Sequence, residues 1–387
     1  MQQSPAETPG EQPGALVESS DERRGVWRRW LGGLAIGALF TWWSSRSWPL
    51  DRLFSGSLDL GRDAHGDWAV RLLGKSGSEN WSLDLQFLAL YFVFLTVIHW
   101  LRVLRWHPLL EPYARVPIAA LNRSGAVGFM AVFLLPLRLG ELSRPLMLAR
   151  KHAGHPPVPF AAGLATIALE RVLDGLTVTA LLFVVLFEVH PATLARHPGI
   201  QQAAWIAGAV FSSAILGLGA VLVAREFTLR WTRKILGAIA PGVTDKLLGM
   251  VTAFVDGLAV LKSPWHVVQF IGITIVYWGV NGLGIWLMAR GFGLEVPVIA
   301  GYAMMCFVVV GMMIPNAPAN AGSFWYFLLL PAALYGVDEQ SPRAVAFGLG
   351  LWFVQTVQVT LFGLWGSWAD ARALTRHAAA RRIEKTH

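Results

Sequence analysis

The sequence contains one cysteine, Cys306, so no disulfide can form within the chain. Charge is also scarce: charged residues make up 14% of the chain and hydrophobic residues 55%. Soluble domains carry about 25% charged residues. Ten-residue stretches of alternating polarity, typical of membrane β-strands, are lacking as well. The chain therefore does not have the composition of a soluble domain or a membrane barrel, and a helical membrane protein is predicted.

Motifs for nucleotide and metal chemistry are missing too. No glycine-rich phosphate loop is followed by Lys and Ser, and no Asp-x-Asp pair is present, which disfavours an ATPase and a nucleotide-sugar transferase. His152 and His155 have metal-ligand spacing, but two prolines follow and no third ligand is evident. We predict no metal, no cofactor and no enzymatic activity.

Apolar stretches approach the roughly 20 residues that a helix needs to cross about 30 Å of hydrocarbon. Two further segments, 117–149 and 297–336, are shorter apolar pairs, and the apolar run 125–137 within the first is too short to cross. The predicted spans are 27–43, 82–101, 158–186, 203–224, 266–289 and 343–368.

The basic residues decide the predicted orientation. The formal charge of +8 could indicate nucleic acid, but the basic residues cluster beside apolar segments, so we expect a membrane partner and no nucleic acid. With these spans, most of the 32 Lys and Arg residues lie on the side of the N-terminus. The positive-inside rule then places both termini of a multi-pass inner-membrane protein in the cytoplasm. The loop 44–81 is near neutral and is predicted to be extracytoplasmic.

The predicted domain organisation has one membrane unit between two tails. Residues 1–25 are rich in Pro, Glu, Gln and Ser and are predicted to be a disordered cytoplasmic tail. Residues 26–370 form the membrane domain, with cytoplasmic interfacial helices at 225–262. Residues 371–387 form a basic cytoplasmic tail.

The segments 117–149 and 297–336 predict re-entrant hairpins. By the charge count, the first enters from the cytoplasm and the second from outside. Each lies between two spans, so the order span, hairpin, span occurs twice with opposite orientation. The predicted fold class is an all-α polytopic membrane protein with two inverted repeats, plus an N-terminal span and a connecting span. Inverted repeats with broken helices are typical of secondary transporters.

The first hairpin carries Arg138, Glu141 and Arg144 at three-residue spacing, so the three can share a helix face. Charges at bilayer depth cost about 2.5 to 3.5 kcal/mol each on insertion scales and usually mark a functional site. Arginine suits planar, two-point binding of phosphate, and Gly140 allows close approach of the backbone to a ligand. A lipid phosphate is the natural anion for this site.

The span that follows carries Glu170, Arg171 and Asp174 at the depth of the bilayer centre. Arg171 could bind phosphate, and the two carboxylates could hold a proton or a cation. The alternative is that these groups, with Arg138, Glu141 and Arg144, form a neutral internal network that only holds helices together.

The second hairpin contains a turn that combines Pro, Asn and Gly, residues that expose backbone groups only a cavity or ligand could satisfy at this depth. The last span then carries two glutamines at a depth comparable with Glu170. These residues are predicted to form the opposite wall of the site: Pro315, Asn316, Asn320, Gly322, Gln355 and Gln358.

Over residues 27–370, the sequence resembles the transmembrane flippase-like region of lysylphosphatidylglycerol synthases and their stand-alone relatives. The matching elements are LRVLRW at 101–106, Pro136-x-Arg138-x-Gly140-Glu141-x-x-Arg144, Glu170-Arg171-x-x-Asp174, and the turn 315–322. In the family this turn commonly reads Pro-x-x-Pro-Gly-Gly-x-Gly, whereas here Ala319 and Asn320 replace the central glycines. The family often has Arg at the position of Gln355.

The resemblance implies a flippase that moves an aminoacylated or other phosphate-bearing lipid between leaflets. The soluble aminoacyl-transferase domain of the synthases has no counterpart after residue 370. The expected partner is an anionic phospholipid or a polyprenyl-phosphate lipid, and homo-oligomerisation is left open. The alternatives are a polyprenyl-phosphate or glycolipid carrier, an enzyme on a polyprenyl-linked substrate with Glu170 or Asp174 as base, and a scaffold presenting the loop 44–81.

Overall fold

A computed structural model describes residues 48–62, 66–74, 78–135, 140–150, 155–195, 263–312 and 318–384, with scattered positions within 35–46 and 199–234. Three of its helices are long and apolar enough to cross a membrane by length and composition. The protein is a largely helical membrane protein, as predicted. The predicted tail 1–25, most of the spans 27–43 and 203–224, and almost all of 225–262 lie outside the described residues.

The elements are numbered in chain order. They are α1 (Leu50–Phe54), β1 (Ser57–Arg62), β2 (Trp68–Leu73), β3 (Glu79–Asp84), α2 (Leu85–Leu110), α3 (Ile118–Leu134), α4 (Ser143–Leu148), α5 (Phe160–Glu188), α6 (Pro191–Ala195), α7 (Pro264–Gly291), α8 (Val298–Gly311), α9 (Ser323–Leu329) and α10 (Pro342–Glu384). Short 3-10 helices occupy Pro318–Asn320 and Leu330–Tyr335.

The three apolar candidates for membrane spans are α2, α7 and the first 34 residues of α10. Helix α5 is also 29 residues long, about 43 Å at 1.5 Å per residue, although three charged residues interrupt its apolar face. These four helices correspond to the predicted spans 82–101, 158–186, 266–289 and 343–368. Helix α2 continues to Leu110, nine residues beyond the predicted end, and α10 runs past the predicted domain boundary at 370.

Prolines mark where most of these helices begin. Pro117, Pro159 and Pro297 directly precede α3, α5 and α8, and α7 and α10 begin with Pro264 and Pro342. Proline fits this position because the first helical N–H groups have no partner within the helix. Helix α2 begins instead after Asp84, whose side chain accepts a hydrogen bond from the Gln86 backbone N–H at 2.7 Å.

Two helix pairs interrupt the long helices. We call α3 with α4 the first hairpin and α8 with α9 the second hairpin, because the two arms of each pack against one another. In the first hairpin, Gly140 makes this contact close: an added Cβ would lie 2.0 Å from the backbone carbonyl carbon of Ala131. The order long helix, hairpin, long helix thus occurs twice, as α2 to α5 and as α7 to α10.

The two halves contact one another in a reciprocal pattern. Helix α2 of the first half lies against α7 of the second. Helix α10, which ends the second half, packs on α3 of the first hairpin, and α5, which ends the first half, packs on α8 of the second hairpin. Each hairpin is therefore covered by the last long helix of the other half.

Among the described residues, a three-stranded antiparallel sheet in the order β1-β2-β3 is an element that the all-α prediction lacks. It occupies part of the predicted loop 44–81 and continues to Asp84. Strand β3 contacts α2, α7 and α10. Trp81 of β3 lies 6.4 Å from Phe292, ring centroid to centroid, and Arg343 at the start of α10 lies 3.8 Å from Glu79. The sheet therefore lies where α2 and α10 begin and α7 ends.

Candidate functional site: a buried charge cluster beside a central cavity

Two carboxylates of α5 are buried against an arginine of α2. Arg105 is 1% exposed, and its Nη2 lies 2.5 Å from Oε1 of Glu170. Its two terminal nitrogens also donate to the two carboxylate oxygens of Asp174, at 2.5 and 2.9 Å. Such a two-point contact fixes the orientation of both groups. Arg105 therefore links α2 to α5 through ion pairs with two separate carboxylates.

Two further arginines join this cluster. Arg144 of α4 is 2% exposed, and its Nη2 donates to Oε2 of Glu170 at 3.1 Å. Arg171 donates to Oε1 of Glu170 at 2.9 Å and lies 3.6 Å from Asp174. Glu170, with no exposed surface, thus contacts three guanidinium groups. Three arginines face two carboxylates, which leaves one positive charge in excess within the cluster.

Aromatic side chains surround the cluster. The indole N–H of Trp278 donates to Oδ1 of Asp174 at 3.1 Å. The Cζ atom of Arg105 lies 4.4 Å from the ring centroid of Tyr277, and that of Arg144 lies 4.8 Å from the ring of Trp106. Cations are attracted to aromatic faces, most strongly where water is excluded. The rings therefore stabilise the guanidinium groups and keep water from the ion pairs.

A cavity of about 190 Å³ adjoins the cluster between the two halves. Helices α2, α3, α4, α5, α7, α8, α9 and α10 all contribute to its wall. On the side of the first half, the charged lining residues are Arg102, Glu141, Arg144, Arg171 and Asp174. We call these residues the charged wall. They leave a net positive charge facing the cavity.

The wall on the side of the second half carries polar groups without formal charge. Its amides belong to Asn281, Gln355 and Gln358, and the rest is largely apolar, with Ile285, Met305 and Phe324 among its members. Gln355 donates to the hydroxyl of Tyr91 at 2.7 Å, and Asn281 donates to the carbonyl of Tyr277 at 2.8 Å. We call Asn281, Gln355 and Gln358 the amide wall.

Several arginine nitrogens next to the cavity lack partners. Nε and Nη1 of Arg144, and Nε of Arg102 and Arg171, are buried and donate no hydrogen bond to any of the described residues. Leaving a buried donor of a charged group unsatisfied costs more than about 1 to 3 kcal/mol. The charged wall therefore has unused capacity to donate hydrogen bonds to an anion.

The model of one protein family, the lysylphosphatidylglycerol synthase TM region, matches residues 71–363. This stretch covers most of the chain and contains every residue named above in the cluster and the cavity wall.

The chain belongs to this family.

No curated protein and no solved structure matches the chain. Membership of the lysylphosphatidylglycerol synthase TM family confirms the resemblance read from the motifs. It also agrees with the three helices that are long and apolar enough to cross a membrane. The protein is therefore a membrane protein of a family connected with lipids.

Several of the predicted site residues meet in one place. Glu141, Arg144, Arg171, Asp174, Gln355 and Gln358 all line the cavity, and Glu170 lies beneath its charged wall. Arg138, Pro315 and Asn316 lie outside the described residues. Gly140 packs between the arms of the first hairpin.

Asn320 and Gly322 lie at the tip of the second hairpin and are not among the residues that line the cavity. Asn320 and Ala319 adopt positive φ angles of 52° and 56°, and Gly322 has φ 85°. These are the positions where the motif resemblance described above predicts glycine. The carbonyl of Ala319 accepts a hydrogen bond from Trp352 at 2.7 Å, and the 3-10 helix that contains both residues contacts α3 of the first hairpin.

Arg102, Arg105 and Trp278 complete the site, and sequence reasoning did not include them. Arg105 was assigned to a cytoplasmic loop because the span was predicted to end at residue 101. The described cluster therefore differs from the predicted six-charge network: Arg105 is a central member. The signal was present in LRVLRW, where two arginines sit at three-residue spacing directly after an apolar span.

Proposed function

We propose that the protein is a lipid transporter that moves a phosphate-bearing lipid between the leaflets of the cytoplasmic membrane. The head group binds in the central cavity against Arg144 and Arg171. Arg138, three residues before Glu141 in the sequence, would add a further cation to this site. The acyl or prenyl chains remain in the bilayer while the head group crosses.

One observation carries this proposal: Arg144 is almost fully buried, lines the cavity, and keeps two guanidinium nitrogens without partners. Charges within a membrane domain are expensive and tend to occur where they serve a pathway or a ligand. A phosphate oxygen would satisfy the free donors of Arg144 and offset the excess positive charge. Stability alone would be better served by apolar packing.

The carboxylates hold the arginines in place for this task. Glu170 contacts Arg105, Arg144 and Arg171, so each guanidinium has a fixed position before a lipid arrives. A preorganised site loses less conformational freedom when the ligand binds. Glu141 and Asp174 line the cavity itself and could take up a coupling proton during transport.

The two halves act as inverted repeats that meet at this cavity. The reciprocal packing of α10 on α3 and of α5 on α8 supports this arrangement. A Val-Pro pair also precedes α3 at Val116 and α8 at Val296, and both valines are buried. Transporters with inverted repeats bind their substrates near the midplane, at the interface of the repeats. The hairpins enter from opposite faces, with both termini in the cytoplasm.

The test is translocation by the purified full chain in vesicles that contain a short-chain fluorescent anionic phospholipid. We expect unchanged lipid to appear in the second leaflet, and the rate to fall at least tenfold in Arg144→Gln. Arg290→Gln, at the exposed end of α7, is the matched control and should transport at the normal rate. Equal transport by both variants would refute the proposed site.

The same vesicles distinguish a transporter from an enzyme. If Glu170 or Asp174 acts as a general base, labelled polyprenyl-linked lipid should be converted to a chemically new product. Chromatography of the recovered lipid measures this directly. A transporter returns the lipid unchanged.

A further inference from the structure

We propose that the transported lipid carries an uncharged, hydroxyl-rich group beyond its phosphate, such as a polyol or a sugar, rather than a cationic aminoacyl group. This inference rests on the proposed function and narrows its substrate. The observation behind it is the division of the cavity into a charged wall and an amide wall. Each wall suits a different part of one head group.

The charged wall is poorly suited to bind a cation. Asp174 already accepts from Arg105 at two points and from Trp278, and it lies 3.6 Å from Arg171. Glu141 interacts electrostatically with Arg171. Three arginines and two carboxylates line this wall, so an incoming ammonium group would meet a net positive surface. Like charges at close range oppose binding.

The amide wall offers hydrogen bonds without charge. Gln358 is 7% exposed and lines the cavity, and its amide makes no hydrogen bond within the described part of the chain. Gln355 and Asn281 each use an amide N–H within the protein, which leaves their carbonyl oxygens as acceptors. Hydroxyl groups are both donors and acceptors, so they match this mixed set.

Within the described residues, the second half places no carboxylate on the cavity wall. A lysyl or other aminoacyl ammonium group would therefore lie against amides and apolar side chains once its phosphate contacts Arg144. A buried charge without a partner is strongly disfavoured. A neutral head group of the same size avoids this cost. The amide wall thus selects against a cationic lipid.

The experiment compares four lipids with identical acyl chains: phosphatidylglycerol, phosphatidylinositol, phosphatidic acid and lysylphosphatidylglycerol. Each is titrated into the detergent-solubilised full chain, and the Kd is measured. We expect phosphatidylglycerol and phosphatidylinositol to bind at least tenfold more tightly than lysylphosphatidylglycerol. Gln358→Met should weaken the binding of phosphatidylglycerol about fivefold. It should change the Kd of phosphatidic acid, whose head group is a phosphate without an alcohol, less than twofold.

The matched control is Gln269→Met on α7, because Gln269 is partly buried and is not among the residues lining the cavity. It should leave all four Kd values unchanged. Asn281→Leu tests the same wall if Gln358→Met does not fold. Gln358→Glu adds a carboxylate opposite the arginines and should shift the preference towards lysylphosphatidylglycerol.

The outcomes separate this inference from the proposed function. If Arg144→Gln leaves phosphatidylglycerol binding unchanged, the binding site itself is wrong. If binding depends on Arg144 but lysylphosphatidylglycerol binds as tightly as phosphatidylglycerol, the transporter stands and the neutral head group is refuted. If Gln358→Met weakens the binding of phosphatidylglycerol and of phosphatidic acid equally, the neutral head group is also refuted.

Discussion

Arg105 and Asp174 lie 69 positions apart in the chain, yet they form a two-point ion pair in which both terminal nitrogens of Arg105 contact the carboxylate, at 2.5 and 2.9 Å. The pair joins α2 to α5 at the centre of the first half. Arg171 contacts both Glu170 and Asp174, so the geometry of the Arg105–Asp174 pair also positions Arg171 on the charged wall of the cavity.

Breaking this pair should strongly destabilise the protein. Removing Arg105 takes two hydrogen bonds from the carboxylate of Asp174 and one from that of Glu170. Breaking a buried ion pair in this way costs about 3 to 5 kcal/mol. We therefore expect Arg105→Met to lower the thermal stability in detergent markedly. The double variant Arg105→Met, Asp174→Leu should lose less than the sum of the two single changes.

Asp370→Asn provides the control for this comparison of the single and double variants. Asp370 pairs with Arg150 at 2.9 Å and lies 3.8 Å from Nε of Arg123. Arg150 is 49% exposed and the contact with Arg123 is long, so each pair contributes about 0 to 1 kcal/mol. Its loss should barely move the melting temperature. Equal effects of Arg105→Met and Asp370→Asn would contradict the structural role given to Arg105.

The left-handed backbone of Ala319 makes a second prediction. This conformation lowers the stability of the folded state by about 1 to 2 kcal/mol for a residue with a Cβ atom, and glycine avoids that cost. Part of the gain is lost because glycine is freer in the unfolded chain. Ala319→Gly should therefore leave the melting temperature unchanged or raise it.

Ala321→Gly in the same turn is the comparison for this variant, since Ala321 is not among the described residues with positive φ. This change brings only the entropic cost of glycine and should lower the melting temperature slightly. If Ala319→Gly is instead the more damaging of the two, the turn does not have the described geometry.

Helix α10 approaches the first hairpin through a glycine. A Cβ atom on Gly363 would lie 2.3 Å from Cβ of Met130 on α3, far inside contact distance. Gly363→Ala should therefore force the two helices apart, lower the melting temperature and slow transport. Overpacking of this kind costs about 1 to 3 kcal/mol.

Gly272→Ala on α7 is the matched control, because nothing lies within 4 Å of the added methyl group. Alanine favours helix over glycine by about 1 kcal/mol, so this variant should be as stable as the native chain or more stable. A similar loss for both variants would show that α10 does not pack closely on α3.

Replacing Arg144 with lysine separates charge from geometry. Lysine keeps the positive charge but cannot present two coplanar donors to a phosphate while another nitrogen contacts Glu170. We expect Arg144→Lys to reduce lipid transport in vesicles at least fivefold. Arg290→Lys should have no effect, and full activity of Arg144→Lys would show that charge alone suffices.

The sequence predicted the long helices and six of the eight charged and amide residues that line the cavity, because both leave local signals. Apolar stretches mark α2, α5, α7 and α10, and charges inside such stretches single out Arg144, Glu170 and Asp174. Gln355 and Gln358 were assigned to the opposite wall from their depth along the last span. They line the same cavity as Arg144.

The features that the sequence did not predict depend on distant contacts. A charge usually ends a membrane span, so Arg105 is predicted to lie beyond the end of the span, on the cytoplasmic side. In the structure it is buried by ion pairs with Glu170 and Asp174, which lie 65 and 69 positions away in the chain. The sheet was missed because its strands have six residues each and gain their stability from pairing with one another and from contact with α2, α7 and α10.

The most direct test is mass spectrometry of the lipid that co-purifies with the full chain, compared between the native protein, Arg144→Gln and Arg290→Gln. We predict that the native protein and Arg290→Gln retain a phosphate-bearing lipid and that Arg144→Gln loses most of it while remaining folded. Retention of the same lipid in the same amount by Arg144→Gln would contradict the binding of an anionic head group in the central cavity.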